Sequence, residues 1–136
     1  VIIENNQCTV YHAGDSRVYI VRDGMLALIT KDHSVVQELL DQHQITAEQA
    51  QHHPQKNLIT RAVGVALDVD IDVAELDVLP GDIILCATDG LTNYVSPIDI
   101  VQVLTTDNVF AMPDKLIRKA LDNNATDNIT AVVLAI

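Results

Sequence analysis

The sequence predicts an α+β fold built on antiparallel sheet, and three observations lead to that prediction. Strand-like stretches follow one another in hairpins near the start, helical patterns come in neighbouring pairs, and the two kinds do not alternate as parallel sheets require. The chain has 136 residues, 49% of them apolar, which is enough for one small domain with an ordinary core. We therefore expect a single domain over residues 1–136.

The N-terminal part of the chain predicts a β-meander. Turn residues separate its apolar stretches, and Asp23-Gly24 is a strong hairpin signal. The expected strands are Val1–Ile3, Cys8–Ala13, Val18–Val21 and Met25–Ile29.

Two short helices are expected next. Ser34 can cap a helix whose apolar residues recur at i, i+4 spacing, and Gln37 stands where a capping box needs it. A second helix is expected to begin at Thr46, with Gln49 three residues later, and to stop before Pro54.

The second half of the chain predicts three more strands. Val69, Ile71 and Val73 alternate with acidic residues, as on one face of a strand. Pro80-Gly81 predicts a turn into a strand over residues 82–87. The closing stretch "ITAVVLAI" is apolar almost throughout, which favours a central strand buried on both faces.

Two longer helices are expected between the last two strands. Ser96-Pro97 is typical of a helix start, with proline at the first helical position. A second amphipathic helix is indicated by Leu116, Ile117, Ala120 and Leu121.

Composition excludes several kinds of partner and site. Nineteen acidic and eight basic residues give a formal charge of −11, so nucleic acid is not an expected partner. Cys8 and Cys86 lie in apolar stretches without CxxC spacing, which favours free thiols in a reducing compartment, and we expect a cytoplasmic protein. No apolar run approaches the length of a membrane span, so no membrane contact is expected within the chain. The chain opens on Val1 rather than Met, which suggests a piece of a longer protein.

Three aspartates stand where an apolar stretch meets a turn. They are Asp15 in "HAGDSR", Asp89 in "CATDG" and Asp127 in "ATDNIT". Each alone is an ordinary turn residue, because Asp accepts hydrogen bonds from nearby backbone amides. Together on one rim they would repel one another unless a cation lay between them, and an all-oxygen set suits Mg²⁺ or Mn²⁺. The residues alone leave both interpretations open.

Asp-Asn occurs three times, and only one copy suits such a rim. Asp107 lies between predicted helices and Asp122 at the end of one. Asp127 leads directly into a strand and is therefore the candidate ligand.

No other pattern supports a different chemistry. Arg17 is expected to pair with a nearby carboxylate, and His33 is expected to be structural because it precedes a helix cap. His52 and His53 are adjacent rather than at i, i+4, so they are not expected to bind a metal. No serine elbow or Cys–His pair supports covalent catalysis.

Five motifs follow one another along almost the whole chain. They are "GDSRVYIVRDG", "TKDHSVVQEL", "NLITRAVG", "LPGDIILCATDGLT" and "TDNITAVV". Together they resemble the C-terminal half of the metal-dependent serine/threonine protein phosphatases, the type 2C or PPM family. The stretch "HSVVQELLDQHQIT" followed by "HHP" resembles the bacterial members most.

The resemblance implies a sandwich of two antiparallel sheets flanked by helices, with a metal centre at one end. It implies that Asp89 and Asp127 hold the catalytic ions and that Asp15 holds a third, more loosely bound ion. Gly90 and Asn128 would shape the loops around them. The implied cofactors are two or three Mg²⁺ or Mn²⁺ ions.

The chain also departs from the family pattern. It lacks the family's acidic "ED" motif, its "DGxGG" motif and its phosphate-binding arginine, so we expect an N-terminally truncated domain that is inactive alone. "NNATDN" lacks the glycine that usually precedes this motif, which would alter the loop without removing the ligand. Residues 44–56 fall where the family carries a mobile flap.

The hypothesis is dephosphorylation of phosphoserine and phosphothreonine proteins by a metal-activated water, with this chain supplying the C-terminal part of the site. The expected partners are phosphorylated proteins made by a serine/threonine kinase, and an open sheet edge would allow the fragment to self-associate. Two alternatives stay open: an inactive regulatory (pseudophosphatase) domain and a divalent-cation-binding module.

Overall fold

The computed structural model describes residues 1–136 as seven strands and five helices. The strands are β1 (Ile2–Glu4), β2 (Gln7–His12), β3 (Arg17–Arg22), β4 (Met25–Leu28), β5 (Asp72–Asp77), β6 (Ile83–Ala87) and β7 (Ala131–Ala135). The helices are α1 (Val35–Asp41), α2 (Ala47–Gln51), α3 (Asp89–Thr92), α4 (Pro97–Thr106) and α5 (Met112–Asp122). None of the helices is long and apolar enough to span a membrane.

The strands form two sheets in which every neighbouring pair is antiparallel. One sheet has the order β1-β2-β5 and the other β4-β3-β6-β7. The hairpin turn between β3 and β4 lies at Asp23-Gly24, both with positive φ, as such tight turns require. The predicted α+β class with antiparallel sheet is therefore confirmed.

Two apolar cores lie on opposite faces of the four-stranded sheet, because successive side chains of β3 and β6 point to opposite sides. The core between the sheets contains Cys8, Val10, Val18, Ile20, Val78 and Ile84. The core between the four-stranded sheet and the helices includes Tyr19, Val21, Leu85, Ala87, Leu91, Ile100 and Leu116. The four-stranded sheet is thus the middle of three layers.

The helix caps follow the sequence signals with one exception. The hydroxyl of Ser34 accepts a hydrogen bond from the Gln37 amide, but the Gln37 side chain donates to Asp41 instead of closing the capping box. The box of Thr46 is complete. Ser96 caps α4.

The segment that carries α1 and α2 leaves the sheets and returns to its starting point. An isolated bridge joins Ser34 to Ile59. The Val35 amide donates to the Leu58 carbonyl at 3.0 Å, and the Thr60 amide donates to the His33 carbonyl at 2.8 Å. Residues 35–58 therefore form an excursion that is closed at its base.

Three strand predictions need correction. The first four strands do not form one meander, because β1 and β2 pair in the three-stranded sheet whereas β3 and β4 pair in the four-stranded sheet. The turn predicted at Gly14-Asp15 carries the chain from one sheet to the other instead of closing a hairpin. The final stretch is not a central strand: β7 pairs only with β6, lies at the sheet edge, and leaves Val132 51% exposed. The apolar run predicts burial but says nothing about which neighbours the strand finds. The strand expected from Val69 begins only at Asp72, and its inward side chains are Ala74 and Leu76.

Candidate metal centre

Asp89 and Asp127 lie at the same end of the four-stranded sheet because β6 and β7 pair antiparallel. Ala87, the last residue of β6, stands opposite Ala131, the first residue of β7. Asp89 follows β6 as the first residue of α3, and Asp127 lies in the loop that leads into β7. The sheet register therefore makes neighbours of two residues that α4 and α5 separate in the chain.

A close approach between Gly90 and Asn128 joins the two segments. A Cβ atom at Gly90 would lie 2.2 Å from the carbonyl oxygen of Asn128 and 3.5 Å from Cβ of Asp127. Only glycine fits at this position without moving the loop. The Thr88 hydroxyl accepts a hydrogen bond from the Thr130 amide at 3.0 Å and ties the same loop to the end of β6.

Asp89 and Asp127 line one cavity of about 260 Å³. Asp89 is half-buried and Asp127 is exposed, so the cavity is open to solvent. The other lining residues are Lys56, Asn57, Asn93, Tyr94 and Thr126. A larger cavity of about 700 Å³ shares four of them and extends toward α1 and α2. The end of the expected flap therefore borders the two aspartates.

Asp15 lies in the turn after β2. This turn is outside that cavity but near the end of β6 that Asp89 follows. Arg17 at the start of β3 stands opposite Ala87 at the end of β6, which brings the preceding turn toward Asp89. The pKa of Asp15 is raised, first by burial and then by the Asp89 carboxylate. The three candidate aspartates thus gather at one end of the molecule.

The donor atoms at this end fit a hard divalent cation, but they are incomplete. Carboxylate oxygens are the ligands that Mg²⁺ and Mn²⁺ prefer. One oxygen of Asp127, Oδ1, accepts a hydrogen bond from the Asn128 amide at 2.7 Å. The chain contains no group of three or more His, Cys, Asp or Glu side chains that could by itself hold a metal ion. An ion at this end would need further ligands from water or from other protein segments.

Arg17 is engaged by Asp32 and is not free to anchor a phosphate. Its Nε and Nη2 atoms donate to the Asp32 carboxylate at 2.9 and 2.7 Å, a bidentate pair. These hydrogen bonds are the largest cause of the raised pKa of Arg17. The expectation that Arg17 pairs with a local carboxylate is confirmed.

A polar cluster beside the turn of Asp15 has no signal in the sequence. It consists of His12, His33, Arg61 and Asp72, which come from four separate segments. Asp72 accepts hydrogen bonds from His33 and Arg61, and these hold its pKa below the usual value, with His33 the larger cause. Burial is the main cause of the lowered pKa of His12, followed by the neighbouring His33. Because these four residues lie far apart in the chain, no short sequence motif could have predicted their contacts.

No family model matches the chain, but individual proteins do. Protein phosphatase PhpP of Streptococcus pneumoniae is 37% identical over 134 residues, which are 98% of this chain and 54% of that protein. Serine/threonine protein phosphatase PstP of Mycobacterium tuberculosis is 38% identical over 133 residues, which are 98% of this chain and 26% of that protein. The chain therefore spans about half the length of PhpP and less of PstP.

The solved structures that resemble this chain are also serine/threonine phosphatases. A serine/threonine phosphatase of S. agalactiae superposes with a TM-score of 0.93 at 40% identity, covering 98% of this chain and 56% of the other. The catalytic domain of PstP in complex with two manganese ions superposes with a TM-score of 0.84 at 33% identity, covering 97% of this chain and 54% of the other. These likenesses confirm the expected sandwich as part of a larger domain, and they give no support to the inactive alternative.

Proposed function

The chain belongs to the PPM family of serine/threonine protein phosphatases and corresponds to the C-terminal portion of its bacterial members, and on that premise we propose that it supplies part of a phosphatase site. The proposed reaction is the metal-dependent hydrolysis of phosphoserine and phosphothreonine in proteins. Because the chain spans about half of PhpP, the remaining ligands and the phosphate-binding arginine would come from a segment outside these residues. The 136 residues alone are expected to be inactive.

The observation that carries the proposal is the shared cavity of Asp89 and Asp127, joined through Gly90 and Asn128. In the proposed site Asp89 and Asp127 bind the catalytic ions, and Asp15 binds an accessory one. When bound, such ions lower the pKa of a coordinated water and offset charge on the phosphoryl oxygens. The chain's own part is to hold these carboxylates at the ends of β6 and β7, where Gly90 keeps the loop of Asp127 close.

Mg²⁺ or Mn²⁺ is the proposed cofactor, with two or three ions in the complete domain. The oxygen-only donor set supports a hard ion. The PstP catalytic domain, which is similar to this chain, binds two manganese ions. The third ion is proposed at Asp15, which lies toward Asp89 but outside the cavity of the other two aspartates.

The proposed substrates are proteins phosphorylated by a serine/threonine kinase, and the proposed location is the cytoplasm. Both cysteines are free, which is typical of reducing compartments. The formal charge of −11 argues against nucleic acid as a partner. The open edge of β7 supports self-association when these residues are expressed alone.

The test joins this chain to the N-terminal half of PhpP and follows Mn²⁺-dependent hydrolysis of p-nitrophenyl phosphate and of a phosphothreonine peptide. Asp89→Asn and Asp127→Asn are each expected to lower turnover more than about a hundredfold, because even the loss of a residue supporting a metal ligand costs 10–100-fold. Asp122→Asn is the matched control, since it changes another Asp-Asn pair at the end of α5. It is expected to leave turnover unchanged.

The same experiment separates the alternatives. Mn²⁺ binding without hydrolysis would favour the cation-binding module. A folded protein that neither binds Mn²⁺ nor hydrolyses either substrate would favour the regulatory domain. Equal losses in Asp122→Asn and Asp127→Asn would contradict the assignment of Asp127.

A further inference from the structure

His33 makes two hydrogen bonds to the backbone of Gly14, the residue that precedes Asp15. The backbone amide of His33 donates to the carbonyl oxygen of Gly14 at 2.8 Å. The backbone amide of Gly14 donates to Nδ1 of His33 at 3.1 Å. Gly14 has a φ of +122°, a conformation that only glycine adopts without strain. One distant residue therefore fixes both polar backbone groups of the flexible position next to Asp15.

The directions of these bonds determine the tautomer of His33. A backbone amide can only donate, so Nδ1 must accept and the ring proton lies on Nε2. Nε2 is 3.0 Å from Oδ2 of Asp72 and donates to it. Nη1 of Arg61 lies 3.2 Å from the same Nε2 atom, but both groups are donors in this tautomer, so Arg61 bonds the other carboxylate oxygen, Oδ1, at 2.8 Å. Asp72 thereby orients the ring that holds Gly14.

His12 supports the His33 ring from the side. The ring centroids are 4.8 Å apart, and both side chains are more than nine-tenths buried. No hydrogen bond joins His12 to His33, so the contribution of His12 to the position of that ring is packing. His12 ends β2 and stands opposite Asp72 in the register of β2 and β5. The three-stranded sheet thus places both supports of His33.

From this arrangement we infer that His33 is a positioning residue for Asp15: it fixes Gly14 and thereby the direction in which the Asp15 side chain leaves the end of β2. The inference rests on the proposed function, which gives Asp15 a part in metal binding. If His33 served only to close the base of the excursion over residues 35–58, the bond from the Gly14 amide to its Nδ1 atom would not be needed. Ser34 caps α1 and bridges Ile59, so the base of the excursion is closed without it.

Two substitutions of similar size separate the acceptor from the bulk of the ring. His33→Asn keeps an oxygen where Nδ1 lies, so Gly14 retains its acceptor, but it loses the contact with Asp72. His33→Gln is one bond longer, reaches toward Asp72, and leaves the Gly14 amide without an acceptor. Both are neutral and polar, so each is the control for the other.

The first readout needs no metal and uses the chain joined to the N-terminal half of PhpP. We expect the Gly14 amide to exchange with solvent about tenfold faster in His33→Gln than in His33→Asn, the loss expected for one buried hydrogen bond. The melting temperatures of the two variants are expected to match. The second readout is Mn²⁺ titration, in which His33→Gln raises the Kd of the weakest ion about tenfold and His33→Asn does not.

Each outcome decides the inference. Equal exchange rates in the two variants would overturn it, because the bulk of the ring and not its Nδ1 atom would then hold the turn. Unchanged Mn²⁺ affinity in His33→Gln would also overturn it, because the hold on Gly14 would not extend to the Asp15 carboxylate. A protein whose Mn²⁺ affinity responds as expected but which hydrolyses neither substrate would support the inference and refute the proposed function.

Discussion

The close approach between Gly90 and Asn128 yields the sharpest prediction, which concerns Gly90→Ala. The new methyl group would lie 2.2 Å from the Asn128 carbonyl oxygen, whereas ordinary contact begins at 3.4 Å. The loop that carries Asp127 must therefore retreat by more than an ångström. Gly90 has no positive φ, so alanine adds no backbone strain there.

The expected cost differs between stability and function. Overpacking usually costs about 1–3 kcal/mol of unfolding free energy. Replacing glycine by alanine in a helix offsets up to about 1 kcal/mol of that. Because the Asp127 loop is exposed and can move, we expect a net loss of about 1 kcal/mol. A displacement of about 1 Å at a reacting site can cost about a hundredfold in rate, so Mn²⁺-dependent turnover should fall far more than stability does.

The assay compares Gly90→Ala with Gly81→Ala in the chain joined to the N-terminal half of PhpP. Gly81 has a φ of +97° with nothing near its Cβ position, and it lies beyond the other end of β6. Alanine there should cost about 1–2 kcal/mol of backbone strain without touching the site. Urea unfolding measures stability, and Mn²⁺ titration and turnover measure the site.

Two results would refute this reasoning. Wild-type Mn²⁺ affinity in Gly90→Ala would show that the Asp127 loop does not need the close approach. Equal losses of affinity in Gly90→Ala and Gly81→Ala would show that affinity follows general stability and not the position of Asp127.

Two further predictions concern stability. Asp82 is 2% exposed and accepts hydrogen bonds from Arg22, which hold the pKa of Asp82 below its usual value. The resulting stabilisation is present above about pH 4 and is lost as the pH falls through the lower folded-state pKa. Asp82→Asn should therefore lower the free energy of unfolding at pH 7, and that free energy should decline less between about pH 5 and pH 2 than in the wild type. Urea unfolding at several pH values measures both effects, and an unchanged decline would contradict the prediction. Leu116 is fully buried and Leu121 on the same helix is 55% exposed. Leu116→Ala should cost about 2–5 kcal/mol and Leu121→Ala less than about 0.5 kcal/mol, and similar values for the two would argue against the docking of α5.

Local signals in the sequence predicted the local features of the fold. Asp23-Gly24, Thr46 with Gln49, and Ser96-Pro97 each act over a few residues, and each lies in the turn or cap expected of it. The Gln37 side chain deviates because Asp41, one helical turn later, competes for it.

Features that depend on distant partners could not be predicted in the same way. The apolar final stretch specifies a strand, but its edge position depends on which strands pair with β6. The three candidate aspartates could be selected by their place at strand ends. The contact of Gly90 with Asn128 and the bond of Gly14 to His33 join segments far apart in the chain, which no periodicity records.

The closed base of the excursion over residues 35–58 makes this part of the molecule modular. Because Ser34 and Ile59 already meet, lengthening the segment adds only about 0.6 kcal/mol of loop-closure cost per doubling. Insertions and deletions between these residues would leave both sheets and the three aspartates in place. The surface beside the candidate site can therefore diversify in evolution, or be exchanged between proteins, without rebuilding the end of the sheet that carries the carboxylates.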